Sequence, residues 1–203
     1  MAAPTNDFLD GMMWALSAGG ALIGIGALRL HIKQADDAVE EPDRPAAKGY
    51  SIMIGLIGIF LFITGLSISL LWPFNFGGGV YNVLFGGPAA VGGLLLIGTA
   101  AALILGNGLR EISYAAAVTG IYLLVDGVAI LKYTLTTAPT EAALLYGGLG
   151  VASILSLPAF TLKAKAWKYL FAAVVLVSSI GWLIFAANAS LSHLQPPTSP
   201  PPA

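Results

Sequence analysis

Six stretches of mostly apolar residues, each about as long as a bilayer-crossing helix, set the pattern of this chain. They run over roughly 8–31, 50–71, 84–106, 111–131, 141–162 and 168–188. A spanning helix needs about 20 such residues. None of the six alternates polar and apolar positions as a strand does, and all exceed the length of a barrel strand. The pattern predicts an all-α integral membrane bundle of six transmembrane helices over residues 1–192. The Pro-rich tail, 193–203, reads as an extended, disordered segment.

Composition agrees. Hydrophobic residues make up 57% of the chain and charged residues 9%, against roughly 25% charged in a soluble domain. The net charge of −1 leaves no basic field for nucleic acid. With no cysteine, disulfides, thiolate metal sites and thiol redox chemistry are excluded. Asp7 and Asp10, with no lysine or arginine before the first apolar run, argue for a retained span rather than a secretory signal.

Basic residues give the direction. Arg29, Lys33, Arg44, Lys48, Arg110, Lys163, Lys165 and Lys168 fall on one side, and only Lys132 on the other. The first side is assigned to the cytoplasm of a multi-pass cell-membrane protein, which places both termini outside. The charged connection "KQADDAVEEPDRPAAK" matches no calcium loop and reads as a solvated linker. The second, fourth and sixth spans each open with a basic residue and a tyrosine (Lys48–Tyr50, Arg110–Tyr114, Lys168–Tyr169). This is either a faint threefold repeat or the ordinary preference of both residue types for the interface.

The connection "WPFNFGGGVYNVLFGGP", residues 72–88, carries no charge. Its rings suit the headgroup zone, and its glycines permit a turn with positive φ. If the third helix begins at Pro88, "YNVLFGG" is irregular backbone at the bilayer edge, tolerated only against protein or a watery cavity. It would then cap the outer mouth, with Asn75, Tyr81 and Asn82 supplying contacts and Gly86–Gly87 exposing N–H groups able to hold an anion. The alternative is a plain interfacial aromatic loop. This stretch, its continuation to "GTAAALIL" and the later "LREISYAAAVTGIYLLVDGVAILKY" resemble the uncharacterised prokaryotic membrane family known as domain of unknown function 981, over roughly residues 50–190. The resemblance implies a multi-span membrane protein and no established activity. Gly87 stands where the family pattern often has an acidic residue, which implies that a charged contact at the outer mouth is missing here.

Asp126 is the intramembrane acid. It lies about 22 Å from Glu111 along a core about 30 Å thick, in the outer third. A charged aspartate near the bilayer centre costs about 2.5–3.5 kcal/mol, and less toward the edge. Thr119, Tyr122, Asp126 and Tyr133 form one polar stripe at helical spacing, predicted to face the bundle interior. Tyr146, Gly150 and Ser153 form a lesser one in the fifth span. Asp126 either binds a cation or proton along a path or ties helices together by hydrogen bonds. Pro158 should kink the fifth span, with Ser153 or Ser156 answering the carbonyl it frees. His31 and His193 lie at opposite sides and cannot share a haem.

No catalytic residue, metal site or cofactor is expected. The leading reading is a small channel or carrier for a proton, cation or small solute, with Asp126 and Tyr122 on the path. The alternative is a non-catalytic subunit or assembly factor of a larger membrane complex; an enzyme ranks third. The expected partners are the lipid bilayer and either a second copy of the chain or a membrane complex.

Overall fold

A computed structural model describes residues 8–30, 32–33, 38–39, 43–74 and 79–193. Among these residues, six helices are long and apolar enough to cross a membrane. They are α1 (Phe8–Arg29), α2 (Arg44–Leu71), α3 (Gly87–Leu105), α4 (Arg110–Tyr133), α5 (Pro139–Thr161) and α6 (Lys165–His193). A π-helical turn, Asn82–Gly86, leads directly into α3. Among the described residues, the acidic connection contributes a two-residue antiparallel ladder, with Ile32 opposite Val39 and Lys33 opposite Ala38. Its acidic run at 36–37 and 40–41, together with His31, Asn75, Gly77, Gly78 and the tail after 193, lies outside the described residues.

Sequential helices pack antiparallel and α1 closes against α6, so the six form a ring. The closure is polar as well as apolar. Ser17 Oγ donates to the Ser179 carbonyl at 2.8 Å, Trp14 Nε1 donates to Ser190 Oγ at 3.1 Å, and Lys168 Nζ caps the last turn of α1 through the Leu30 carbonyl at 2.7 Å. Alternating direction brings the start of α1 and the end of α6 to one end of the ring, the terminus-bearing end. Arg29, Arg44, Lys48, Arg110, Lys163, Lys165 and Lys168 gather at the other.

Packing around the ring alternates. α2 with α3, α4 with α5, and α6 with α1 are closely packed pairs; the seams between pairs are looser, and α3–α4 is the loosest. The first two pairs are copies of one design. A single constant spacing relates Lys48 to Arg110, Ser51 to Ser113, Gly58 to Gly120, Leu61 to Leu123, Gly65 to Gly127 and Ile68 to Ile130. The structure treats these partners alike. Ser51 and Ser113 each donate to the carbonyl three residues back, that of Lys48 or Arg110. Trp72 and Thr134 both end their helices in the left-handed region at φ 51°, with N–H groups bonded to Ile68 and Ile130.

The glycine contacts repeat as well. A Cβ on Gly58 would meet the Gly93 carbonyl and Ile97 N at 2.9 Å; on Gly120 it would meet the Gly150 carbonyl at 2.5 Å and Ile154 N at 3.0 Å. Small residues let helix backbones approach this closely where lipid supplies no hydrophobic drive. In α6 the matching face carries Ser179 and Ala186, both buried. The threefold repeat is therefore a property of the packing. Its register differs from the basic-plus-tyrosine pattern, since Tyr50 corresponds to Ile112 and not to Tyr114.

Candidate functional site: a dry central cavity and an acid beside it

Between the helices lies a partly open cavity of about 220 Å³ whose lining includes residues of all six helices. On α1 the lining runs from Leu9 to Leu30, so the space is long and narrow. Equivalent positions of the pairs line it: Ala89, Gly92, Leu95, Leu96, Thr99 and Leu103 on α3, and Tyr146, Leu149, Ala152, Ser153, Ser156 and Phe160 on α5. Among the described residues, buried apolar side chains form three clusters, bridged by Leu96 between the first and third and by Leu16 between the second and third.

Four hydroxyls in the wall bond back to their own helices. Thr99 Oγ1 donates to the Leu95 carbonyl at 2.8 Å, Ser113 Oγ to Arg110 at 2.6 Å, Thr119 Oγ1 to Ala115 at 3.0 Å and Ser156 Oγ to Ser153 at 2.6 Å. Such back-bonding satisfies a hydroxyl within its own helix. The Tyr146 phenol donates to the Leu84 carbonyl at 2.6 Å. With these donors used, the lining is mostly apolar; the Trp182 indole N–H is the buried donor in the wall with no hydrogen-bond partner among the described residues. Cavities of that kind stay empty of water and accept apolar guests.

Predicted site residues divide. Thr119 is buried and lines the cavity. Tyr122 and Asp126 do not; they sit half-buried by the α3–α4 seam, at the end that bears the termini. Tyr133 is 63% exposed. The stripe therefore does not face inward as a unit. The buried face of α4 is centred on Gly120, Leu123, Gly127 and Ile130, where the glycines admit α5. Close packing against α5 turns Tyr122 and Asp126 aside. Asp126 lies within electrostatic reach of both Tyr122 and Tyr146, and its buried Oδ2 has no hydrogen-bond partner among the described residues. The lesser stripe does face inward. Tyr146 and Ser153 line the cavity, and Gly150 packs on Gly120.

The uncharged connection folds back on the bundle. Asn82 is fully buried, accepts from Phe74 N–H at 3.0 Å, and donates to the carbonyls of Phe74 at 2.7 Å and Gly79 at 3.2 Å. Phe74 is thereby held among Met12, Leu61, Ile68 and Ala89. Tyr81 stacks on Phe85 at 5.8 Å. Gly79 has φ 77°, and a Cβ there would run into the Trp72 indole, so any other residue is strained at this position.

One expectation is corrected. "YNVLFGG" is not irregular backbone: Gly86 and Gly87 are helical (φ −67° and −59°) within a continuous π-to-α run. Their N–H groups belong to the helical ladder, not to a free helix start, so the anion site is withdrawn. Gly87 instead leaves space under the Tyr122 hydroxyl, which a Cβ would approach to 2.8 Å. Pro158 does not end α5, which continues to Thr161. Ser156 bonds the Ser153 carbonyl, not that of Ile154, which the proline frees.

Sequence reasoning missed Trp182, which is 3% exposed, lines the cavity and packs on Tyr146 at 6.0 Å. It also missed Gly92, whose Cβ direction is open space. A tryptophan in mid-span, away from the interfacial belt, was the available signal.

The chain matches, over residues 1–196, the family described as "Protein of unknown function (DUF981)", and it belongs to that family. The match takes in the first span, which the resemblance over 50–190 left out. No curated protein and no solved structure matches the chain.

Proposed function

Taking membership of that uncharacterised family as the premise, we propose that the chain is a small membrane carrier whose guest is an apolar, chain-like molecule held in the central cavity. The observation that carries this reading is the long, narrow void lined by apolar side chains and self-bonded hydroxyls. A water-filled proton or cation path along the ring axis would need polar groups free to solvate an ion. These walls offer few, and Asp126 stands beside the cavity rather than on it. Of a proton, a cation and a small solute, the last is the class to which such a guest belongs. The end rich in lysine and arginine is the cytoplasmic one by the basic-residue rule, which puts both termini outside the cell membrane. The role is binding and transfer rather than chemistry on the guest.

The test is binding of tritiated decanol to the purified chain in nanodiscs, read by scintillation proximity against empty discs. Saturable binding near one guest per chain is expected. Gly92→Leu directs a side chain along an unobstructed line on the cavity face, and is expected to cut binding roughly tenfold by removing space and apolar contact. Decanol that partitions equally into empty discs would defeat the reading.

A further inference from the structure

The internal repeat separates what the fold needs from what it does not. At one place in each closely packed pair the same helix position recurs: Thr64 on α2, Asp126 on α4 and, in the matching register of α6, Phe185. Thr64 satisfies itself, its Oγ1 donating to the Phe60 carbonyl at 2.7 Å. Phe185 has no polar side-chain atom to satisfy. The ring is thus built at two of three equivalent positions without a carboxylate. Asp126 alone brings one, and its Oδ2 is buried without a partner among the described residues. Tyr122 departs in the same way, since its counterpart on α2 is Phe60. Two adjacent departures, one turn apart, both add oxygen to the loosest seam of the ring.

That seam is a breath away from the cavity. Gly87, which leaves room for the Tyr122 hydroxyl, precedes Pro88, a cavity residue. Tyr146 lines the cavity on one side and feels the Asp126 charge on the other. The described basic residue at this end, Lys132, holds its Nζ over the Tyr133 ring, 5.1 Å from the centroid. An acceptor oxygen and two phenols suit a cationic nitrogen, which aromatic faces and a carboxylate both attract.

We propose that the α3–α4 seam at the terminus-bearing end binds the ammonium head of an amphiphilic amine, on Asp126 Oδ2 and the Tyr122 phenol, with the apolar tail in the central cavity. The inference rests on the cavity reading and names the class of guest.

Its test is competition against tritiated decanol in nanodiscs of zwitterionic lipid, with unlabelled decanol and decylammonium as competitors of equal tail. Decylammonium is expected to compete roughly tenfold better, the lower range for a hydrogen bond to a charged group. Asp126→Thr installs the residue that α2 already uses and should erase that preference while leaving decanol binding intact. Tyr122→Phe, the α2 counterpart, should reduce the preference in part. Asp126→Asn, which keeps the side chain's shape, should behave like Asp126→Thr. Equal competition by both amphiphiles in the wild type, or a preference that survives Asp126→Thr, overturns the head-group site and leaves the cavity standing. Loss of decanol binding in both Asp126 variants also overturns it, since Asp126 would then be holding the cavity's shape. Failure of decanol itself to bind overturns the cavity reading and this one with it.

Discussion

The hairpins α2–α3 and α4–α5 have the same glycine contacts, the same left-handed C-cap on their first helix and matching cavity-facing positions, yet they differ in the connection and side chains at their terminus-bearing ends. In α2–α3 the connection is long, folded back and stitched by Asn82, and the helix position before Gly65 is a self-bonded threonine. In α4–α5 five residues, 134–138, join the helices, and the position before Gly127 is Asp126. Shared features hold the ring together. The differing ones are where each hairpin has been adapted, one to a folded loop and the other to a polar group beside the cavity.

The comparison can be broken at its shared part first. Gly120→Val should be the most damaging change, because its Cβ would meet the Gly150 backbone at 2.5 Å and backbone cannot yield. Overpacking of this kind costs about 1–3 kcal/mol or more. Gly58→Val should do similar harm to the first hairpin. Both are read as loss of monodisperse protein on gel filtration and a lowered melting temperature. Near-wild-type melting of either variant would mean the glycine contacts are not what sets the helix spacing.

Asn82→Ala comes next and should act on the α2–α3 end alone. It removes three hydrogen bonds and leaves buried Phe74 groups unpaired, at roughly 1–3 kcal/mol each in the worst case. Faster protease cleavage between Trp72 and Tyr81, with the rest of the chain resistant, is the expected signature. Tyr146→Phe should cost about 1 kcal/mol, since only the bond to the Leu84 carbonyl is lost. The smallest effect belongs to Asp126→Thr. Making α4 match α2 should leave melting unchanged or raise it slightly, because an acid costs something even toward the bilayer edge. A large drop in melting would show that Asp126 ties the helices together.

Much of the architecture is legible in the sequence. The apolar runs located all six helices, and the basic residues sorted the two ends. Helix limits were less so: α2 begins at Arg44 rather than near 50, because a charged turn can be helical without being apolar. The glycine-rich connection looked irregular because glycine permits many conformations, whereas Asn82 selects one. Ring closure of α1 on α6 leaves no local trace, and the cavity follows from that closure. The repeat was present in the sequence, as Lys48 with Arg110, Ser51 with Ser113 and Gly58 with Gly120. Pairing basic residues with tyrosines obscured it, since interface residues drift while contact glycines do not. Asp126 stood out from the start, but its place beside the cavity depended on which face of α4 the glycines gave to α5.

The central claim, that the ring holds an apolar guest on its axis, is tested most directly by locating one. Crystals of the chain grown with ω-bromodecanol would show the bromine by anomalous scattering. The account predicts a peak inside the ring, among Leu96, Thr99, Ala116 and Ser153. Bromine found only on the lipid-facing surfaces of α2 and α4 would contradict it.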